Sequence, residues 1–139
     1  MLERVVAFVN RFVVDPVLQQ RIVAVLHSLP REVLRDLLQD ERFRMAVYDV
    51  NDPANSYLHM APPGVGDNGS RMIAWKSSLS RAPLDFANYV IAHEFAHAYL
   101  RNRGRTAEED PEDAADALAH SWGYDKPESA KRFTWWRRG

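Results

Sequence analysis

The sequence predicts an α+β fold, and two patterns predict it. The first forty residues and the stretch 83–122 repeat apolar residues every three or four positions, the period of helices packed on one side. Residues 43–76, between them, alternate apolar and polar side chains in three short runs, the period of half-buried strands. At 139 residues the chain is long enough for one domain with one core.

Residues 2–14 place Val5, Phe8, Val9, Phe12 and Val13 at helical spacing. Asp15-Pro16 supplies an N-cap and a first-turn proline for a second helix, with Leu18, Ile22, Val25, Leu26 and Leu29 on one face. Ser28 and Pro30 are expected to start a third, carrying Val33, Leu34, Leu37 and Leu38. This spacing describes a helical layer over 1–40 that packs on a sheet, in preference to a partner-binding layer or an inhibitory prosegment. The expected small three-stranded sheet takes its strands from 43–48, 56–60 and 71–76. Asp49 to Asn55 is turn-rich, and Pro62 to Ser70 is a Gly/Pro loop that connects strands or overhangs a cleft.

A further helix is expected from near Pro83 to near Gly104, and Asp110-Pro111 opens the next one. The remainder, 123–139, is an aromatic and basic tail in which Trp135 and Trp136 are expected to pack on the body. A net charge of −1 argues against a general nucleic-acid binder, although acids crowd 108–116 and Lys131, Arg132, Arg137 and Arg138 mark the tail. There is no cysteine, hence no disulfide and no thiolate metal ligand. The longest N-terminal apolar run, Val5 to Val9, is too short for a membrane span or a signal-peptide core, so a cytoplasmic location is the default expectation.

The chemistry concentrates in His93-Glu94-Phe95-Ala96-His97. Histidines at i and i+4 stand one turn apart on one helix face, where both imidazoles reach one zinc ion. Glu94 flanks that face, placed to take a proton from a water at the metal. Ile91, Phe95 and Ala98 fall on the opposite side at 100° per residue, an apolar back that anchors the histidine front.

Catalytic zinc takes three protein ligands and keeps a fourth position open. The helix from residue 111 is the natural source of the third. Glu112, Ala115, Asp116 and Ala119 share a face, and the alanines permit a close helix approach. Glu112 completes the set, with His120, two turns further on, as a rival and Asp113 a weaker choice about 100° away. Asp116 is placed to accept the free ring N–H of a zinc-bound histidine. For the developing oxyanion, Tyr99, His120 and Tyr124 are candidate donors. Set against this are plainer readings: partly exposed helix histidines, and first-turn acids that complement a helix dipole.

His93-Glu94-x-x-His97 followed by Glu112-x-x-x-Asp116 resembles the gluzincin type of zinc metallopeptidase. The longer string Glu112-x-x-Ala115-Asp116-x-x-Ala119 is similar to the second motif of the small ImmA/IrrE-type peptidases. The resemblance covers about residues 89–120. It implies a zincin-like fold, His93, His97 and Glu112 as ligands, Glu94 as general base and Asp116 supporting a ligand. It also implies a peptide or protein substrate paired with an edge strand, for which 71–76 is the candidate. The expected activity is zinc-dependent peptide hydrolysis. Two other classes compete: a regulatory interaction module with a retained, non-hydrolytic zinc site, and a helical DNA- or membrane-associating module built on the Trp/Arg tail.

Overall fold

The computed structural model of the chain describes residues 2–41, 43–48, 72–102 and 111–127. Among the described residues there are five α-helices and one parallel pair of strands, so the fold is mixed helix and strand and mostly helical. Helix α1 (Leu2–Asn10) is shorter than its apolar pattern, which runs on to Val13. The amides of Phe12 and Val13 both donate to Val9 O at 3.0 Å, closing the last turn. The chain must then extend, because Asp15 precedes a proline and takes φ −63°, ψ 118°.

Asp15 caps helix α2 (Pro16–Ser28) as the sequence predicts, its carboxylate accepting from Val17 N at 2.9 Å. Such a cap is worth about 0.5–2 kcal/mol. Leu18, Ile22, Val25 and Leu26 form its buried stripe. Ser28 does not start the next helix. It closes α2, its hydroxyl donating to Val25 O at 2.6 Å, and Pro30 stands as N-cap of helix α3 (Arg31–Gln39) with no side-chain cap bond. A serine at a helix end has the carbonyl one turn back within reach, and that local bond wins here over capping three residues on.

Strands β1 (Met45–Tyr48) and β2 (Ile73–Lys76) are parallel, in register Met45↔Ile73 through Tyr48↔Lys76. Both are shorter than the alternating runs suggested. Phe43 lies ahead of β1 and serves as an anchor: its ring stacks on Phe8 at 5.4 Å and meets Phe95 at 6.1 Å. The expected strand at 56–60, the 62–70 loop, the acidic residues 108–110 and the tail beyond 127 lie outside the described residues.

A 3-10 turn (Ser77–Ser80) leads from β2 into helix α4 (Leu84–Asn102), and helix α5 (Pro111–Ser121) packs against α4. Arg21 of α2 fixes the join, one guanidinium nitrogen donating to Leu79 O at 2.5 Å and Ala82 O at 2.8 Å. The core is one cluster running from α1 to α5. Phe95, on the back of α4, sits against Trp75 of β2 at 5.5 Å in an edge-to-face pair as well as against Phe43. Trp75 Nε1 in turn donates to Met45 Sδ at 3.2 Å, so β1 is tied to the α4 contact through Trp75, and α1 through the stack of Phe8 on Phe43. Among the described residues, no helix is long and apolar enough to cross a membrane.

Candidate metal centre

Helix α4 is buried on both sides. Ile91, Phe95 and Ala98 are fully buried on its back, and His93 and His97 on its front are 1% and 8% exposed. The front is covered because Ala115 and Ala119, both fully buried, let α5 lie close against α4. Imidazoles enclosed this way need polar partners, since burial without them costs several kcal/mol.

Those partners converge on one point. His93 Nε2 and His97 Nε2 are 3.0 Å apart. Glu112 of α5 reaches both, with Oε2 at 3.0 Å from His93 Nε2 and Oε1 at 3.1 Å from His97 Nε2. A tetrahedral zinc with ligands at 2.0–2.1 Å separates them by about 3.3 Å, so these spacings approximate the edges of a coordination polyhedron. Glu94 stands beside the group, half-buried, with a carboxylate oxygen within 4.8 Å of a nitrogen of each histidine. Two imidazoles and one carboxylate make the His2Glu set that catalytic zinc takes.

Behind the ring, His93 Nδ1 lies 2.8 Å from Asp116 Oδ1. The contact sets a carboxylate against the buried ring nitrogen, and it helps to hold the proton on the imidazole. The same Oδ1 accepts a hydrogen bond from the Tyr89 hydroxyl. Tyr89, His93 and His97 are spaced by four residues along α4, and Glu112 and Asp116 by four along α5, so two turns of each helix face each other.

The electrostatics follow from this packing. Burial alone would pull the His93 imidazole down, but contacts with Asp116 and Glu112 and the negative field of Glu94 raise it from 6.5 to about 9. Burial pushes Glu112 up, and the contacts with His93 and His97 outweigh it, leaving the carboxyl at about 2 against an ordinary 4.5. Asp116 is likewise held below its ordinary value, burial being overcome by His93 and by the Tyr89 hydrogen bond. Metal-free, the site is therefore an imidazolium between two carboxylates, and a cation entering it takes the place of a proton.

The structure brings together His93, Glu94, His97, Glu112 and Asp116, all expected from the sequence. Other candidates fall elsewhere. His120 is exposed and pairs through Nδ1 with Asp125. Eight residues turn a helix by about 80° relative to the starting position, enough to carry His120 off the face that holds Glu112. The Tyr124 hydroxyl bonds to Ser28 Oγ of α2 at 2.5 Å. Tyr99 is half-buried against the core.

Sequence reasoning missed two residues. One is Tyr89. The other is Tyr48, at the C-terminal end of β1, half-buried with its hydroxyl pushed up first by burial and then by the charge of Glu94. A tyrosine so placed stays protonated and able to donate near the Glu94 carboxylate. Lys76, its register partner on β2, is also half-buried, and burial lowers its ammonium. The alternation over 43–48 was visible in the sequence, but which face would turn toward α4 was not. Compared with protein-family models, with curated proteins and with solved structures, the chain shows no significant match.

Proposed function

We propose that the protein is a zinc-dependent peptidase, with His93, His97 and Glu112 as ligands and Glu94 as general base. One observation carries the reading: Nε2 of two histidines and the carboxylate of a third residue, from two helices, lie 3.0–3.1 Å apart around one point. A buried ion-pair cluster needs one imidazole and one carboxylate. A second imidazole nitrogen on the same carboxylate and 3.0 Å from the first is what coordination demands.

Zinc held there would supply Lewis-acid polarisation of a scissile carbonyl and activation of water. The chain supplies the rest. Glu94, at the edge of the ligand set, takes the proton of the attacking water and passes it to the leaving amine, a role worth about 10²–10⁴-fold. Tyr48, whose hydroxyl feels the charge of Glu94, is the candidate donor to charge that develops there. Asp116 holds His93 from behind. A motif helix beside a small sheet, with its third ligand on the next helix, suits a zincin-like arrangement and a peptide substrate. In that arrangement a substrate strand adds to the sheet edge, for which β2 is the candidate.

The test is metal content followed by turnover. The purified chain should hold one zinc, and should cleave an unfolded protein in a reaction that a chelator stops and added zinc restores. Glu94→Gln should keep the metal and lose cleavage. Zinc binding without cleavage, in wild type and variant alike, would favour a non-hydrolytic interaction module; no zinc at all removes the metal reading.

A further inference from the structure

We propose that Tyr89 is a positioning residue for this centre, its hydroxyl fixing Asp116 so that Asp116 fixes the His93 ring. The inference rests on the metal reading above and adds a third tier to it.

Tyr89 lies one turn before His93 on α4 and is 2% exposed, with its ring centroid 5.7 Å from that of His93. A phenylalanine would fill the same core space without bringing a hydroxyl that must find a partner. Here the hydroxyl has one, and it is Asp116 Oδ1. That oxygen is also the one 2.8 Å from His93 Nδ1.

The double contact on a single oxygen matters because the Asp116 side chain is partly open to solvent. It is 34% exposed, and besides the Tyr89 hydroxyl it is held by the charge of Lys126 and by its contact with His93. A carboxylate held by that contact alone can swing toward solvent and let the imidazole turn. Tyr89 comes from the core with a ring that packing immobilises, so its hydroxyl fixes where Oδ1 stands. The chain of contacts Tyr89–Asp116–His93 leaves α4, crosses to α5 and returns to α4. It thereby sets the ring rotation of His93, whose Nε2 then lies 3.0 Å from both His97 Nε2 and Glu112 Oε2. The tyrosine touches no reacting atom.

The experiment measures zinc affinity by chelator competition for wild type, Tyr89→Phe, Asp116→Ala and the double variant, with melting of each metal-free chain alongside. Groups behind a metal ligand typically contribute 10–100-fold to affinity, so Asp116→Ala should fall in that range and Tyr89→Phe should weaken zinc by roughly 3–10-fold. The double variant should bind no more weakly than Asp116→Ala alone, since the hydroxyl has nothing left to hold. The visible bands of the cobalt-substituted protein should shift in Tyr89→Phe, a signature that a purely structural role would not move. A Tyr89→Phe chain that binds like wild type, leaves the cobalt spectrum unchanged, or adds its full effect on top of Asp116→Ala overturns the proposal. Should Tyr89→Phe fail to fold, Asp116→Ala still decides: unchanged zinc affinity there removes the relay. Wild type without zinc fells the metal reading and this proposal together, whereas zinc-binding wild type with an indifferent Tyr89→Phe fells this proposal alone.

Discussion

His93 Nε2 and Glu112 Oε2 stand 3.0 Å apart across the α4–α5 contact, although 19 residues separate them in the chain. The pair is what makes the centre more than a helical motif. On the metal reading, two histidines on one helix would offer two ligands, and a third would arrive only because α5 packs close enough to present an acid. Glu112→Gln keeps size and shape but removes the anionic oxygen. It should weaken zinc by at least about 100-fold, beyond what losing a supporting group behind a ligand does. Competition against a chromogenic chelator measures it. Retention of wild-type affinity would mean that the third ligand is another residue.

The metal-free chain should show a stability optimum set by the same pair. His93 is raised from 6.5 to about 9 in the folded state. Its contribution is thus complete below pH 6.5 and is lost as pH climbs through about 9. Glu112 is depressed from 4.5 to about 2. Its contribution is present above pH 4.5 and is lost as pH falls toward 2. Metal-free stability should therefore peak between pH 4.5 and 6.5 and decline by roughly 3 kcal/mol at most by pH 9, the His93 shift coming from Asp116 first and from Glu112 beside it. On the metal reading, zinc should reverse the alkaline limb, because it would bind the deprotonated ligands and stabilise the fold more as pH rises. Urea midpoints from pH 4 to 9, with and without zinc, give both curves. A flat metal-free profile across this range would show that His93 does not hold its proton among these carboxylates in the folded chain.

What could be read in the sequence was whatever depends on local periodicity. Histidines at i and i+4, an acid and alanines sharing one face of α5, and an aspartate before a proline at residue 15 each imply their own geometry within two turns. Asp15 caps, and Glu112 and Asp116 face α4, for those reasons. The misses have a different origin. Tyr48 reaches the neighbourhood of Glu94 only through the placing of β1 against α4, and no spacing within 43–48 encodes that. Tyr89 reads as one more apolar position on the motif helix until Asp116 is in place to accept its hydroxyl. Ser28 was ambiguous by nature, since the same hydroxyl can close one helix or cap the next. The parallel pairing of β1 with β2 rests on contacts that cross the chain, and alternation alone does not set strand direction.

Tyr48→Phe separates binding from turnover. Tyr48 is not one of the three proposed ligands, so zinc affinity should stay within about twofold of wild type. If it donates to the oxyanion, cleavage should fall by roughly 10²-fold, near the lower end for losing one such donor. The ratio should appear in kcat more than in KM, because the interaction strengthens as charge develops. Unchanged kcat in a zinc-loaded Tyr48→Phe chain would take the tyrosine out of the chemistry.

The closeness of α5 to α4 is itself testable at Ala115. This residue is fully buried and lies between Glu112 and Asp116 on the inner face of α5. Leucine there adds three carbons to a packed helix contact, and overpacking of that kind destabilises by about 1–3 kcal/mol. The helix relieves it by moving outward, and a shift of about 1 Å would take the Glu112 carboxylate out of ligand range, given bond lengths near 2 Å. Zinc affinity should then fall by more than about 10-fold in Ala115→Leu. Ala117 is on the same helix but exposed, so Ala117→Leu should leave both stability and zinc near wild type. Calorimetric zinc titration beside urea unfolding reads the two effects. If Ala115→Leu loses stability yet keeps wild-type zinc affinity, Glu112 does not depend on close helix packing to reach the histidines.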